Sequence, residues 1–418
     1  MRIGFVTQWY EPETGAAAHP TVIAEALKNR GHEVCVVTGF PNYPAGRVDA
    51  AYQMGFRAQR DRLNGVDIVR VPLVPSHDDS AVRRGVAYLS FALSSLRASG
   101  PLSRCDVVLV YATPATAALA ALAVHAWRGV PFVLYVQDLW PDSVTASGFI
   151  RSSRLSRATE RLLHHLCDTT YRRAEAVLTI APGMRDRVIA RGIQPARVRT
   201  VYNWVDETLL RPSDPDGELA RSLPGRERFT IMYAGAMGPL QQLDTAILAM
   251  AQLIDLQDVH LVLVGDGVTR SRLEALSRDL GQADRVTFVP PRPLSKMAAT
   301  LSVGDVQLVS LRDVPLLHST IPSKLQACMA TGRPILCAAP GDAADLVAAA
   351  GCGEATHPGD PASLAGAIRR LRALTPSQLR ALGESGRSYY LDQLSQAHGV
   401  AALEESLLGA CRVPQGTT

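Results

Sequence analysis

The sequence predicts an α/β protein made of two doubly wound, Rossmann-like domains facing each other across a cleft. Short β-branched runs alternate with helical stretches along most of the chain. That alternation is the pattern of a parallel sheet covered on both faces. The rhythm breaks once, over 211–228, and then restarts. At about 100–200 residues per domain, 418 residues leave room for two or three such units.

The elements follow in order. Strands are predicted at IGFVT (3–7), VCVVT (34–38), DIVRV (67–71), VVLVY (107–111), FVLYV (132–136), AVLTI (176–180) and VRTVY (198–202). The stretch ending at Gly31 reads as the first helix. From Val107 to Trp127 no charge occurs, about the length of a membrane span. Pro114 divides it into a buried strand and a short core helix, so it reads as soluble core. Residues 211–228 are rich in Pro, Gly and charge and read as a linker. TIMYAG (230–235), VHLVLVGDG (259–267), VTFVP (286–290), DVQLVSL (305–311) and PILCAA (334–339) carry the second sheet. This gives an N-terminal domain over 1–210, a C-terminal domain over 229–375, and a helical tail over 376–418 packing back on the N-terminal domain.

Composition narrows the class. Apolar residues make up 47% and the net charge is only +4, too balanced for a nucleic-acid binder. Residues 1–205 hold about 24 Lys and Arg against about 16 Asp and Glu. A basic N-terminal half points to an anionic partner, such as a membrane surface. Seven cysteines form no CxxC and no framework, and read as thiols of a reducing compartment. The opening MRIGFVTQWYEPE lacks the layout of a signal peptide. A cytoplasmic chain working at the inner face of a membrane is the expectation.

The strand-to-helix loops are where such sheets bind ligands. Gly15 follows the first strand, where a glycine turn lets phosphate approach a helix start. Gly235 and Gly238 follow a strand in the second half, and Gly265-Asp266-Gly267 follows the next. The segment 319–334 is the most informative. Pro322 suits a first helical position, and Gly332 and Pro334 suit the stop. Lys324 then sits in the first turn, where a cation opposes the helix dipole unless an anion is bound. Only Lys28, Lys296 and Lys324 are lysines among 43 basic residues, so a lysine at this position stands out. Asp214-Pro-Asp216 spells a metal motif but lies in the linker, and no metal or cofactor is expected. Residues 80–99, with Arg83, Arg84 and Arg97 among apolar positions, read as an amphipathic or buried helix with basic ends. The 151–173 stretch is a second basic helix.

These pieces resemble glycosyltransferase family 4, whose fold is GT-B, over nearly the whole chain. The specific matches are Glu11-Pro-Glu-Thr-Gly15, Arg30-Gly-His-Glu-Val34, Gly39-Phe-Pro-Asn-Tyr-Pro-Ala-Gly46, Gln137-Asp-Leu-Trp-Pro-Asp142, Asn203-Trp-Val-Asp206, Tyr233-Ala-Gly235, Gly265-Asp-Gly267 and Pro322-Ser-Lys324. Two of them, around 39–46 and 137–142, look like the branch of colanic-acid and O-antigen fucosyl- and N-acetylfucosaminyl-transferases. The resemblance implies a retaining, metal-independent transfer of a hexose, deoxyhexose or N-acetylhexosamine from a nucleotide sugar, a UDP-sugar by expectation, to a hydroxyl acceptor that is lipid-linked or part of an envelope polysaccharide. It assigns Lys324, Gln137 and Asp138 to catalysis. Gly15, Gly235, Gly238, Gly265, Asp266, Gly267, Pro290, Arg312, Ser319, Ser323, Lys324 and Gln326 fall to the donor, and His19, Asn42, Tyr43 and Trp140 to the acceptor.

The chain departs from the family at several points. Ser319 and Ala327 stand where the family has paired glutamates, Pro239 replaces a basic residue, and Gln137 stands where a histidine is usual. Lys324 therefore carries more of the diphosphate binding, with Arg312 as helper. Three other readings use the same nucleotide-sugar site: an epimerase, a transferase decorating a soluble natural product, and a binder without turnover.

Overall fold

The computed structural model describes residues 1–13, 15–76, 81–140, 154–223 and 228–412. Pro141 and Asp142 of the 137–142 motif, Ser80, and 151–153 of the second basic stretch lie outside the described residues. The chain divides into two compact units, Met1–Val201 with the chain from Val400 onward, and Tyr202–Gly399.

The first unit holds eight strands: β1 (Arg2–Val6), β2 (Glu33–Gly39), β3 (Gln59–Leu63), β4 (Val66–Val71), β5 (Val107–Ala112), β6 (Phe132–Val136), β7 (Ala176–Thr179) and β8 (Val198–Thr200). Their order is β3-β4-β2-β1-β5-β6-β7-β8. All pairs are parallel except β3 with β4. Strands β1, β5 and β6 are buried almost throughout, which explains their unbroken apolar spelling. Helices α1 (His19–Asn29), α2 (Ala81–Arg97), α3 (Ala118–Arg128), α4 (Arg154–Arg173) and α5 (Pro182–Ala190) connect them. Helix α3 stops at Gly129, which is left-handed at φ 70° and supplies the C-cap. Among the described residues no helix is long and apolar enough to cross a membrane.

The second unit holds β9 (Phe229–Ala234), β10 (Val259–Val264), β11 (Val286–Val289), β12 (Val306–Ser310), β13 (Ile335–Ala338) and β14 (Gly353–Ala355), in the order β11-β10-β9-β12-β13-β14. Helices α6 (Asp244–Ala251), α7 (Arg270–Asp279), α8 (Ser323–Ala330), α9 (Asp342–Ala350) and α10 (Pro361–Arg372) cover it. Alternation sorts the side chains: Ile231, Tyr233, Leu261 and Leu263 pack with Ile247, Met250 and Ile368. Met232, Val262 and Val264 face the other way, onto Leu219. Such period-2 sorting is what places one helix layer on each face.

Three expectations need correction. Residues 211–223 are not a free linker. Asp216 caps a short helix, Gly217–Ser222, by accepting from Glu218 N and Leu219 N, and it pairs with Arg292 at 2.7 Å. Asp216 is thus a helix cap, which accounts for the Asp-x-Asp spelling. Second, the strand β3 was not anticipated, because QRDRL is polar and exposed. Its turn, Asn64-Gly65 with φ 51° and 80°, carries the hairpin signal that the apolar pattern lacks. Third, the tail does not pack on the N-terminal domain as a whole. Helix α11 (Pro376–Tyr389) belongs to the second unit, and only part of α12 (Gln396–Arg412) joins the first, where Glu404 meets Arg30 and His32 at 2.7 Å.

The seat of α11 is testable. A Cβ on Gly383 would meet Gly332 O at 2.1 Å. Gly to Ala inside a helix ordinarily stabilises by up to about 1 kcal/mol. Gly383→Ala should instead destabilise by about 1–3 kcal/mol, the cost of overpacking. A urea unfolding curve checks the sign.

Candidate functional site

In the second unit β9 is central. Chain order runs outward from it through β10 on one side and through β12 on the other. That reversal is a topological switch point, and the carboxyl ends of β9 and β12 form the crevice beside it. Two glycine loops meet there. A Cβ on Gly265 would lie 2.0 Å from Gly235 O, and one on Gly267 would lie 2.4 Å from Met237 O. Gly265 and Gly267 adopt φ of 139° and 154°. Only glycine permits both the conformation and the approach.

Lys324 lies across this platform. A Cβ on Gly235 would meet its Cε at 2.1 Å, and its Nζ stands 5.3 Å from the centre of the Tyr233 ring. Pro322 is the N-cap residue of α8 and not its first helical residue, so Lys324 is the second. No side chain caps this helix start. Lys324 makes no ion pair among the described residues, and burial lowers its pKa. A cation desolvated beside uncapped N–H groups is a place where an anion is favoured.

The glycine N–H groups contribute less than expected. Gly238 N donates to Gln241 Oε1 at 3.0 Å, Gly235 N to Val264 O at 2.9 Å and Gly265 N to Val289 O at 2.9 Å. Gly267 N donates to Asp266 Oδ1 at 2.8 Å. Gly238 is therefore committed to its own turn and does not present a free donor. Gln326 is buried, and its amide donates to Asn203 O at 2.7 Å, so it braces the 203 segment. Ser319 is buried within a short turn, with its hydroxyl toward Leu316 O. Ser323, Arg312 and Pro290 are exposed on loops or a helix start of this unit, and Arg312 N donates to Leu240 O.

The first unit gathers its candidates at the carboxyl ends of its own strands. Gly15 opens a single turn, Gly15–Ala18, that leads into α1. His19 follows, with Nδ1 3.4 Å from Tyr111 OH and its ring beside Tyr135. Burial drives its pKa down to about 4, so the imidazole is neutral at physiological pH. Asp138 accepts from Thr113 Oγ1 at 3.1 Å, and the surrounding protein raises its pKa. Gln137 is half-buried beside it. Trp140 packs edge-on against Tyr88 at 5.6 Å, and Tyr43 lies 6.0 Å from Trp9. Asn42 is buried and its amide donates to Phe40 O at 2.9 Å, which shapes the loop.

Sequence reading missed the residues that hold these loops. Glu13 is buried and ties the β1 loop to the β2 loop. Its carboxylate accepts from Tyr10 N at 3.1 Å, Asn42 N at 2.8 Å and Tyr43 N at 2.9 Å. Burial nonetheless pushes its pKa up to about 7. Arg70, also buried, donates to Glu11 O at 2.7 Å and stacks over Tyr52. The signal was present: an arginine inside the apolar run DIVRV needs a partner.

Comparison with known proteins gives a consistent picture. The family described as "Glycosyl transferase 4-like domain" matches residues 14–204, and "Glycosyl transferases group 1" matches 228–373. A colanic acid biosynthesis glycosyl transferase of Escherichia coli (strain K12) is 28% identical over 77% of this chain and 79% of its own. A GDP-mannose-dependent alpha-mannosyltransferase of Mycolicibacterium smegmatis is 26% identical over 83% of this chain and 82% of its own. Among solved structures, Anabaena HepE in complex with UDP superposes with a TM-score of 0.69 at 18% identity, covering 98% of this chain and 100% of that one.

Glu13 generates a pH prediction. Its folded pKa lies above the ordinary 4.5, so the folded chain holds this proton better than the unfolded one. That stability is fully present below 4.5 and is lost as pH rises through about 7, at up to about 1.4 kcal/mol per pH unit. His19 acts oppositely, its contribution being lost as pH falls through about 4. Stability of wild type minus that of Glu13→Gln, measured by denaturant unfolding from pH 5 to 8, should therefore decline with pH. A flat difference would mean that Glu13 is ionised throughout.

Proposed function

The chain belongs to glycosyltransferase family 4, with the GT-B fold, in the colanic-acid and O-antigen branch, and we propose that it transfers a hexose, deoxyhexose or N-acetylhexosamine with retention from a UDP-sugar to a hydroxyl of an envelope polysaccharide or lipid-linked oligosaccharide. Glycosyl transfer from a nucleotide sugar is the activity of the family. The donor nucleotide, the stereochemistry and the acceptor are this proposal. The observation that carries it is Lys324, desolvated over Gly235 at an uncapped helix start and unmatched by any carboxylate among the described residues.

The chemistry follows from that cation. As the sugar–phosphate bond stretches, negative charge grows on the leaving diphosphate and positive charge on the anomeric carbon. Lys324 and the first N–H groups of α8 stabilise the diphosphate where its charge increases. A phosphate oxygen of the leaving group then takes the acceptor proton, so no dedicated base is needed. Fixed cations and a helix end do here what a divalent ion does elsewhere, which supports the metal-independent reading. The neutral His19 and the Asp138 carboxyl are suited to orient an acceptor hydroxyl. GDP is the competing nucleotide, because a 26% identical relative is named GDP-mannose-dependent.

The test of this reading is paired. UDP should raise the melting temperature of wild type more than GDP does, without added metal. Lys324→Ala should melt close to wild type, since a lysine with no ion pair among the described residues contributes little to stability. It should lose the UDP shift and lower turnover by about 10²–10³. Lys324→Arg should recover part of it, because a planar fork replaces a compact charge. Near-wild-type turnover by a folded Lys324→Ala removes Lys324 from the site, and a larger shift with GDP reassigns the donor.

Helix α2 supports an acceptor held at a membrane. Its inner face buries Ala87, Phe91 and Ala92, while Val82 at 76%, Leu89 at 52% and Leu93 at 51% exposure form an outer apolar stripe beside Arg83 and Arg97. The helix is thus packed on the domain and amphipathic outward at once. Such a stripe with basic residues suits an anionic bilayer. The protein should sediment with anionic vesicles at low salt and less so at high salt, as screening shortens to within about 10 Å at 0.1 M. Leu89→Glu with Leu93→Glu should abolish this binding. Binding that the double variant retains, or none by wild type at low salt, leaves a soluble acceptor.

A further inference from the structure

The second unit carries a cavity of about 590 Å³ that the transfer reaction does not use. It opens at the amino ends of the strands, beside Phe229 of β9, Asp305 before β12 and Pro334 before β13. The Lys324 crevice lies at the opposite ends, a strand length or about 17–20 Å away. Helix α11 and the end of α10 form the outer wall.

The wall is strongly basic. Arg228, Arg333, Arg372, Arg380 and Arg387 line it against two carboxylates, Asp305 and Glu384. Among the described residues only Arg372 has a carboxylate within ion-pair distance, Asp258. Arg228 instead donates to His260 Nδ1 and Asp284 O at 2.9 Å, and Arg387 to Ala330 O. Asp305 is engaged by Thr230 N at 2.7 Å. Arg333 is half-buried, and its Nε is shielded from water with no hydrogen-bond partner. Arg380 lines the cavity and is exposed, with no ion pair among the described residues.

Asp305 attracts Arg333 and Arg372, yet five guanidinium groups against the two carboxylates of the lining leave an excess of positive charge that an entering anion offsets. Guanidinium forks match phosphate oxygens in bidentate geometry. Phe229, Leu374 and Leu379 supply an apolar wall, and the volume falls in the range of small-molecule sites, about 300–1,000 Å³. We propose that this cavity is a second binding site, for a small organic molecule carrying two or more phosphate groups, separate from the donor crevice. Arg333 and Arg380 are its principal anion contacts, and its occupant does not compete with the sugar donor.

Isothermal titration of the full chain with inorganic triphosphate at low salt tests this in the Lys324→Ala background, where the donor crevice has lost its diphosphate contact, alone and with Arg333→Ala or Arg380→Ala added. Lys324→Ala should still bind triphosphate, at the cavity. Each arginine variant should weaken binding by about tenfold or more, the loss expected of one charge-assisted contact. Melting curves accompany each titration. Arg380 is exposed, so Arg380→Ala decides the matter if Arg333→Ala melts early. No binding by Lys324→Ala, or undiminished affinity once Arg380→Ala is added to it, overturns the proposal.

Discussion

The second unit depends on a contact between two pieces of backbone. The loop after β9 and the loop after β10 touch main chain to main chain, with Gly265 over Gly235 O and Gly267 over Met237 O. Any side chain at these positions would separate the loops. Their closeness leaves a flat, unobstructed surface at Gly235, and the aliphatic stem of Lys324 occupies it. The ammonium is thereby held near the Tyr233 ring at a helix start that Pro322 does not cap, desolvated and without a carboxylate partner among the described residues. A cation fixed in this way needs no reorganisation when charge develops beside it.

The same packing explains why other donors are absent. The N–H groups of Gly235, Gly238, Gly265 and Gly267 are all engaged in holding the loops. The loops act as a rigid floor, and the charge comes from α8. In the first unit the corresponding job falls to a buried acid and a buried base. Glu13 draws three backbone N–H groups from two loops onto one carboxylate, while Arg70 fixes the backbone at Glu11. A carboxylate satisfied so fully, yet buried enough to titrate near neutrality, ties loop geometry to pH.

The two ends of the second sheet differ in character. At the carboxyl ends one lysine sits on glycine backbone. At the amino ends five arginines surround a cavity roofed by α11. Helix α11 can pack there because Gly383 and Gly386 let it approach Gly332 and Cys352 closely. The second helix after the last strand therefore completes a wall of the second unit.

The sequence by itself determined the architecture. Unbroken apolar strands alternating with helices can only be buried between two helix layers, so the apolar strands of both sheets and the loops that follow them were legible in spelling alone. The place of Lys324 in a first helical turn was legible from Pro322 and Gly332. Three kinds of feature were decided by tertiary structure. Polar β3 belongs to the sheet through its Asn64-Gly65 turn and its partner β4, which no apolar pattern records. Gln326, Asn42 and Gly238 sit within the expected motifs, and each makes a hydrogen bond to a segment or turn whose proximity only folding creates. Glu13, Arg70 and the arginine cavity arise from residues far apart in the chain. Their chemistry depends on burial and on which charges meet, and a linear sequence encodes neither quantity locally.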